Sequence, residues 1–193
     1  MLAQSFEGEI IYTARYKSKN PQMTDAQLTA AMGAKQDYLV KGGSYKSIMN
    51  GSLMQWQIYD TKENKLYTKM AHADVAYWND AGVQNDEILS VKINKNAAEI
   101  LGYSCDEIIM TCKSGVQKYY FNAKIAADPK MFGNHKFGNW SELISRTKAL
   151  PLKMSIETAG FDFENVATEI IPKKIDSKEF ALPAGIKTEK SPY

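Results

Sequence analysis

From Phe6 to Lys17 apolar and polar side chains alternate almost without a break. Phe6, Gly8, Ile10, Tyr12, Ala14 and Tyr16 fall on one side, and Glu7, Glu9, Thr13, Arg15 and Lys17 on the other. Only Ile11 is out of step. A period of two sets alternate residues on opposite faces of a strand, so one face is buried and the other wet. Shorter runs with strand character follow at 37–41, 44–49, 53–59, 66–70, 87–93, 103–112, 116–122, 152–156 and 161–171. Turn residues separate several of them: Gly42-Gly43, Asn50-Gly51, Thr61 to Asn64 and Ser114-Gly115. Asn50-Gly51 predicts the tightest hairpin, because both central positions of such a turn favour positive φ. Tyr77-Trp78, within the ambiguous stretch 71–84, marks a short strand or a packed loop. Eight to eleven antiparallel strands are expected.

Two helices interrupt the strands. Thr24 and Gln27 have the spacing of a capping box, followed by Leu28, Ala31 and Met32 on an apolar side and Gly33 near the end. Asn139 and Glu142 repeat that spacing before Trp140, Leu143, Ile144 and Thr147, while 128–139 reads as a packed loop. Strand and helix do not alternate regularly, which argues against a parallel doubly wound fold. The predicted class is α+β, mainly antiparallel: a strongly curved half-barrel sheet with two short helices on its concave side. The 193 residues suit one domain, 1–193, around a single large core. The tail, with Pro172, Pro183 and Gly185, reads as irregular.

The net charge is +2, and lysines are interleaved with carboxylates, so no basic stripe points to nucleic acid. No window reaches the ~18 apolar residues of a transmembrane helix. Met1-Leu2-Ala3-Gln4-Ser5 reads like the small-residue end of a signal peptide. On that reading the protein is exported, periplasmic or associated with the outer envelope, with the signal itself absent from this chain. A frayed cytosolic N-terminus is the alternative.

Cys105 and Cys112 draw attention as chemistry. A straight strand between them spans roughly 23 Å, whereas a disulfide needs Cα atoms within about 7 Å. Two free thiols, at least one of them buried, are expected. Asp106 and Glu107 beside Cys105 would raise its pKa; Lys113 is a better neighbour for Cys112, though at a hairpin end. His72 and His135 lack metal-ligand spacing. There is no Gly-x-Ser-x-Gly elbow and no glycine-rich phosphate loop. The carboxylate pairs Asp106-Glu107 and Asp162/Glu164 suit wet strand faces. No catalytic residue, metal or cofactor is assigned, and an enzyme ranks third among the readings.

The aromatic and methionine load is the remaining lead. Met54, Trp56, Tyr67, Trp78, Met110, Tyr120, Phe132 and Trp140 are the candidate lining of an apolar groove. Ligand sites are concave and walled in this way, and methionine adapts to irregular shapes. A fully packed core is the other use for the same residues.

Short motifs in a shared order extend this reading. They are Phe6-x-Gly8-x-Ile10-x-Tyr12, Ile100-Leu101-Gly102-Tyr103-x-Cys105, Tyr119-Tyr120-Phe121, Trp140 with Ala149-Leu150-Pro151-Leu152, and Phe180-x-Leu182-Pro183-x-Gly185. The order resembles that of secreted Gram-negative proteins in the GLPGLI and related groups of unknown function. Such proteins are similar in plan to the LolA-like, lipoprotein-carrier half-barrel. Cys112 departs from the pattern. The resemblance implies a curved sheet closed by helices over an apolar groove, in a wider fold whose members bind acyl chains. It implies no catalytic residues. Tyr103 to Phe121 is then a central hairpin, covered by Phe132 to Trp140. The expected function is non-catalytic binding of a lipid or other hydrophobic small molecule. The alternative is an interaction module for another envelope protein, through the sheet's open face or an edge strand.

Overall fold

The computed structural model describes residues 4–192; most of the leader-like Met1 to Ser5 segment lies outside them. The first strand, β1 (Gly8–Ser18), keeps the predicted alternation, with Ile10, Tyr12, Ala14 and Tyr16 all buried. Helix α1 (Asp25–Met32) follows, and its capping box forms as expected: Thr24 Oγ1 accepts from the Gln27 N–H, and the Gln27 side chain accepts from the Thr24 N–H. A meander comes next: β2 (Lys35–Lys41), β3 (Ser44–Met49), β4 (Met54–Asp60), β5 (Lys65–Met70) and β6 (Val75–Asp80). Gly42 and Gly43, at φ 55° and 86°, make the tight turn between β2 and β3.

Asn50-Gly51 behaves differently from the prediction. Neither residue has a positive φ, and the connection runs from Asn50 to Leu53. The pair serves α1 instead. Ser52 and Leu53 donate their N–H groups to the Ala30 and Ala31 carbonyls at 3.0 and 2.8 Å. Asn50 Oδ1 accepts from the Lys35 N–H at 2.9 Å. A Cβ on Gly51 would run into the Ala31 carbonyl, so the glycine is needed for close approach. The loop thereby satisfies carbonyls left open at the helix C-terminus.

The second half contains β7 (Ile88–Ile100), β8 (Tyr103–Cys112), β9 (Gly115–Ala126), the one-turn helix α2 (Pro129–Phe132), α3 (Trp140–Thr147), β10 (Ala149–Glu157), β11 (Phe161–Pro172) and β12 (Lys187–Lys190). Several outcomes differ from expectation. The segment 128–139 holds α2 and a 3₁₀ turn, Phe137–Asn139. Asn139 precedes α3 at φ 64° but makes no side-chain cap. Its amide points into the protein, donating to Cys112 Sγ at 3.4 Å and to Gln117 Oε1 at 3.5 Å. The tail is not wholly irregular either, because β12 pairs with β6 in parallel, Lys187 opposite Val75.

The twelve strands among the described residues form one sheet in the order β12-β6-β5-β4-β3-β2-β1-β11-β10-β9-β8-β7. The sheet is strongly curved, open and mostly antiparallel, as predicted. Its middle strands are β2 and β1, and β1 pairs on its other side with β11, Gly8 opposite Pro172 and Ser18 opposite Phe161. The β8–β9 hairpin therefore lies beside the edge strand β7 rather than at the centre. The main core fills the inner face beneath α2 and α3, where Ile108, Met110, Leu143, Ile144, Leu150 and Leu152 are at most 1% exposed. A smaller cluster beneath α1 joins Ala14, Tyr16 and Leu28 to Met32, Phe161 and Phe163.

Candidate ligand cavity

Between the two clusters the inner face of the sheet is hollow. The cavity measures about 380 Å³ and lies over β1 to β4, β10 and β11. Its apolar walls come from Tyr12, Tyr16, Tyr38, Tyr45, Trp140, Phe161 and Phe163, with Met32, Met49, Met54, Met154, Ile156 and Pro151. Gln36, Ser47 and Gln57 supply the remaining lining. Among the described residues, no charged side chain lines it. By contrast, the shallow groove beside β7 is lined by Glu87, Glu142 and Arg146.

Strand register explains this arrangement. Tyr38 lies opposite Ser47, Ser47 opposite Gln57, and Gln57 opposite Thr68. Side chains opposite one another share a face, so these four residues form one polar row across β2 to β5. Gln57 Nε2 donates to Thr68 Oγ1 at 3.1 Å. The adjacent row sets Tyr12 opposite Gln36 and Gln36 opposite Met49. There Asn165 Nδ2 donates to Gln36 Oε1, and Gln36 Nε2 donates to Ser47 Oγ at 2.6 Å.

Three tyrosines stand in sequence around this floor, the rings of Tyr12 and Tyr38 being 6.4 Å apart and those of Tyr38 and Tyr45 5.2 Å apart. Tyr12 donates its hydroxyl to the Pro151 carbonyl at 2.7 Å. The Tyr45 hydroxyl and His135 Nε2 share a hydrogen bond of 2.9 Å. The Tyr38 hydroxyl has no partner among the described residues. Burial pushes its pKa well up, so it stays protonated at neutral pH. A buried polar group left unpaired costs about 1–3 kcal/mol.

The wall toward α3 is rigidly backed. His135 is fully buried, with its ring 4.1 Å from Tyr59, 5.8 Å from Tyr45 and 6.1 Å from Trp140. Burial lowers its pKa to about 4, keeping the imidazole neutral. His72 is exposed. Among the described residues no cluster of three or more His, Cys, Asp or Glu could hold a metal ion.

Of the eight residues expected to line a groove, Met54 and Trp140 stand on the cavity wall. Met110 and Phe132 are buried in the packed core. Trp56, Tyr67, Trp78 and Tyr120 lie on the opposite face of the sheet. Tyr67, for instance, is opposite Ile58 and Trp78, the row adjoining the inward Tyr59 and Leu66. Trp78 sits under Lys65, and Tyr120 under Lys153. Sequence reasoning passed over Tyr38, Ser47 and Gln36. Their signal was there: polar side chains at inward positions of strands whose other inward residues are apolar.

Both thiols are free and buried, as expected. Burial raises the pKa of Cys105. Burial and then the Asp86 carboxylate push Cys112 up to about 11. Lys113 does not offset this, because its ammonium pairs with Glu87 at 2.6 Å. Thiols held protonated are weak nucleophiles at neutral pH.

No protein-family model and no curated protein matches the chain. Solved structures do. A LolA superfamily protein from Nitrosomonas europaea is similar at 9% identity, covering 92% of this chain and 91% of that one, with a TM-score of 0.41. The lipoprotein LppX of Mycobacterium tuberculosis is similar at 10% identity, covering 88% and 89%, with a TM-score of 0.35. LprF from Mycobacterium bovis is similar at 10% identity, covering 88% of each chain, with a TM-score of 0.34.

Proposed function

We propose that this protein binds a hydrophobic, lipid-like molecule in the cavity on the inner face of the sheet, between the two packed clusters, without chemistry. One observation carries the reading: a hollow of about 380 Å³ walled by aromatic and methionine side chains and, among the described residues, free of charged ones. That size and lining fall within the range of small-molecule sites. Filling the hollow with an apolar ligand would remove its walls from water, at roughly 25 cal/mol per Å² of apolar surface. Tyr16, Tyr38, Met49, Met54, Trp140, Met154 and Phe163 are the proposed contacts. A store or carrier of this kind suits a periplasmic or envelope compartment, where water-insoluble molecules must cross an aqueous space.

The alternative, an interaction module that adds a partner strand, has less behind it. Edge strand β7 exposes Leu89 and Ile93, but its ladder with β8 is broken at two places and it carries Lys92 and Lys95. The other edge, β12, is four residues long and holds two lysines. Short, charged or irregular edges discourage strand addition.

Trp140 offers a direct test. In a Trp56→Phe/Trp78→Phe variant it is the only tryptophan left. A brominated alkane should quench its fluorescence saturably, and native mass spectrometry of freshly purified protein should show a bound apolar species. Absence of quenching at saturating probe, with the protein folded, would refute the cavity as a ligand site.

A further inference from the structure

We infer that the occupant presents a single unbranched hydrocarbon chain of about fifteen carbons, and that the Trp140 indole is the stop at its buried end. This rests on the cavity being a ligand site. Size sets the amount of carbon. A protein cavity of about 150 Å³ takes up one benzene, a molecule of six carbons. At about 380 Å³ the hollow is about two and a half times as large. A sterol or a two-chain membrane lipid has far more carbon than that. Shape points the same way. The lining follows β10 from Pro151 through Met154 to Ile156, and β1 from Tyr12 to Tyr16. The stretch of β10 is about 17 Å long at about 3.3 Å per residue. Spread over that length, the volume leaves a cross-section of about 22 Å². That is room for one extended chain and not for two side by side.

The two ends of the hollow differ. Beneath α1 it is rimmed by Met32, Ile156, Phe161 and Phe163, all half-buried. At the other end stands Trp140, whose ring lies 5.7 Å from Tyr45 and 6.3 Å from Phe132. Tyr45 lines the hollow, whereas Phe132 is 2% exposed in the packed core. The indole is therefore the partition between hollow and core. Its backbone is tied on both sides: the Ser141 N–H donates to the His135 carbonyl and the Gly138 N–H to Asn85 Oδ1, each at 2.7 Å. A chain entering past the α1 rim, with its head group left in water, would run along the strands and end on this ring. The polar part of the floor accommodates it. Asn165 donates to Gln36, Gln36 to Ser47 and Gln57 to Thr68, and methylene groups leave those bonds intact.

Lysophosphatidylcholines with chains of eight to eighteen carbons supply the test. Each is kept below micelle formation and competes with an apolar fluorophore, N-phenyl-1-naphthylamine, on delipidated full-length protein. Affinity should rise about fourfold per added methylene and level off at about fifteen carbons. Dioctanoylphosphatidylcholine divides sixteen acyl carbons between two chains. It should bind at least tenfold more weakly than the single-chain compound with sixteen. Trp140→Ala should move the levelling point to longer chains by about two carbons or more. Met154→Trp, which fills the hollow from its wall, should move it to shorter ones. Trp140→Phe, a smaller cut at the same place, should act like Trp140→Ala but by less, and serves as the test if the alanine variant fails to fold. Affinity still climbing at eighteen carbons, or equal binding of the two-chain lipid, would overturn the single-chain assignment while leaving the cavity a ligand site. A levelling point unmoved in Trp140 variants that thermal unfolding shows to be folded would overturn the stop. If neither the fluorophore nor any lipid binds, the cavity reading falls and this inference falls with it.

Discussion

Beneath α2 and α3 the inner face of the sheet is filled, whereas between that core and the small cluster under α1 the same face is hollow. The two regions share a sheet and similar side chains, and the helices make the difference. Helix α3 presents Leu143, Ile144 and Thr147 to the sheet, all buried, with Trp140 packed at its start. Helix α1 is also eight residues long, but buries only Leu28; Ala31 and Met32 are half-buried, and Ala26 and Ala30 face solvent. Close packing stops where side chains run out, and a void lined by rings and thioethers remains. A curved sheet therefore becomes a core at one end and a cup at the other, according to what the covering helix brings.

The largest effect should come from truncating matched positions in the two regions. Ile144→Ala should cost about 2–5 kcal/mol, the range for emptying a packed site, read as a lower urea midpoint with unchanged slope. Met154→Ala, which shortens a wall already facing empty space, should cost less than about 1.5 kcal/mol, since it loses fewer contacts. Equal losses would show that the hollow is closed in solution.

Acid should act on the packed region next. The folded imidazole of His135 titrates at about 4, against an ordinary value of 6.5. Between those values the unfolded chain binds a proton that the folded chain refuses. Stability should therefore fall as pH drops from 6.5 to 4, by roughly 3 kcal/mol in all, and this contribution should level off below. The Glu7 and Asp25 carboxylates, whose values are lowered by hydrogen bonds from the Ile175 and Ser18 N–H groups, add their losses at lower pH. His135→Gln should flatten the slope above pH 4. A slope that survives the substitution would remove His135 as its cause.

The smallest effect belongs to α1. Thr24→Ala removes the cap of α1 and should cost about 1 kcal/mol. Hydrogen exchange should locate that loss in 25–32, with amides of α3 unaffected. Protection lost equally in α3 would mean that the two regions unfold as one unit.

Particular residues show how much of this was legible in the chain. The alternation of β1, the Gly42-Gly43 turn and the Thr24–Gln27 box are local, and each appears in the structure as read. Asn139 and Asn50-Gly51 carry local signals as clear, yet both were taken over by distant partners, Cys112 and Gln117 in one case and the end of α1 in the other. The cavity fared likewise. Alternation tells which residues share a face, but aromatic side chains stand on both faces of β4, β6 and β9. Which parity looks inward is fixed by neighbouring strands, so Trp56, Tyr67, Trp78 and Tyr120 could not be told from inward ones by composition.

The sequence by itself determined a sheet of short antiparallel strands, the start of its first helix and two thiols too far apart along a strand to bridge. Hydrophobic period, turn residues and chain length suffice for those, because they act over a few residues. Tertiary structure alone decided that β1 pairs with β11, that β12 returns to β6, and that Tyr38 and Ser47 meet on the floor of a hollow. Strand neighbours and register depend on burying one whole face at once. That is a property of the assembled sheet, and no single strand carries it.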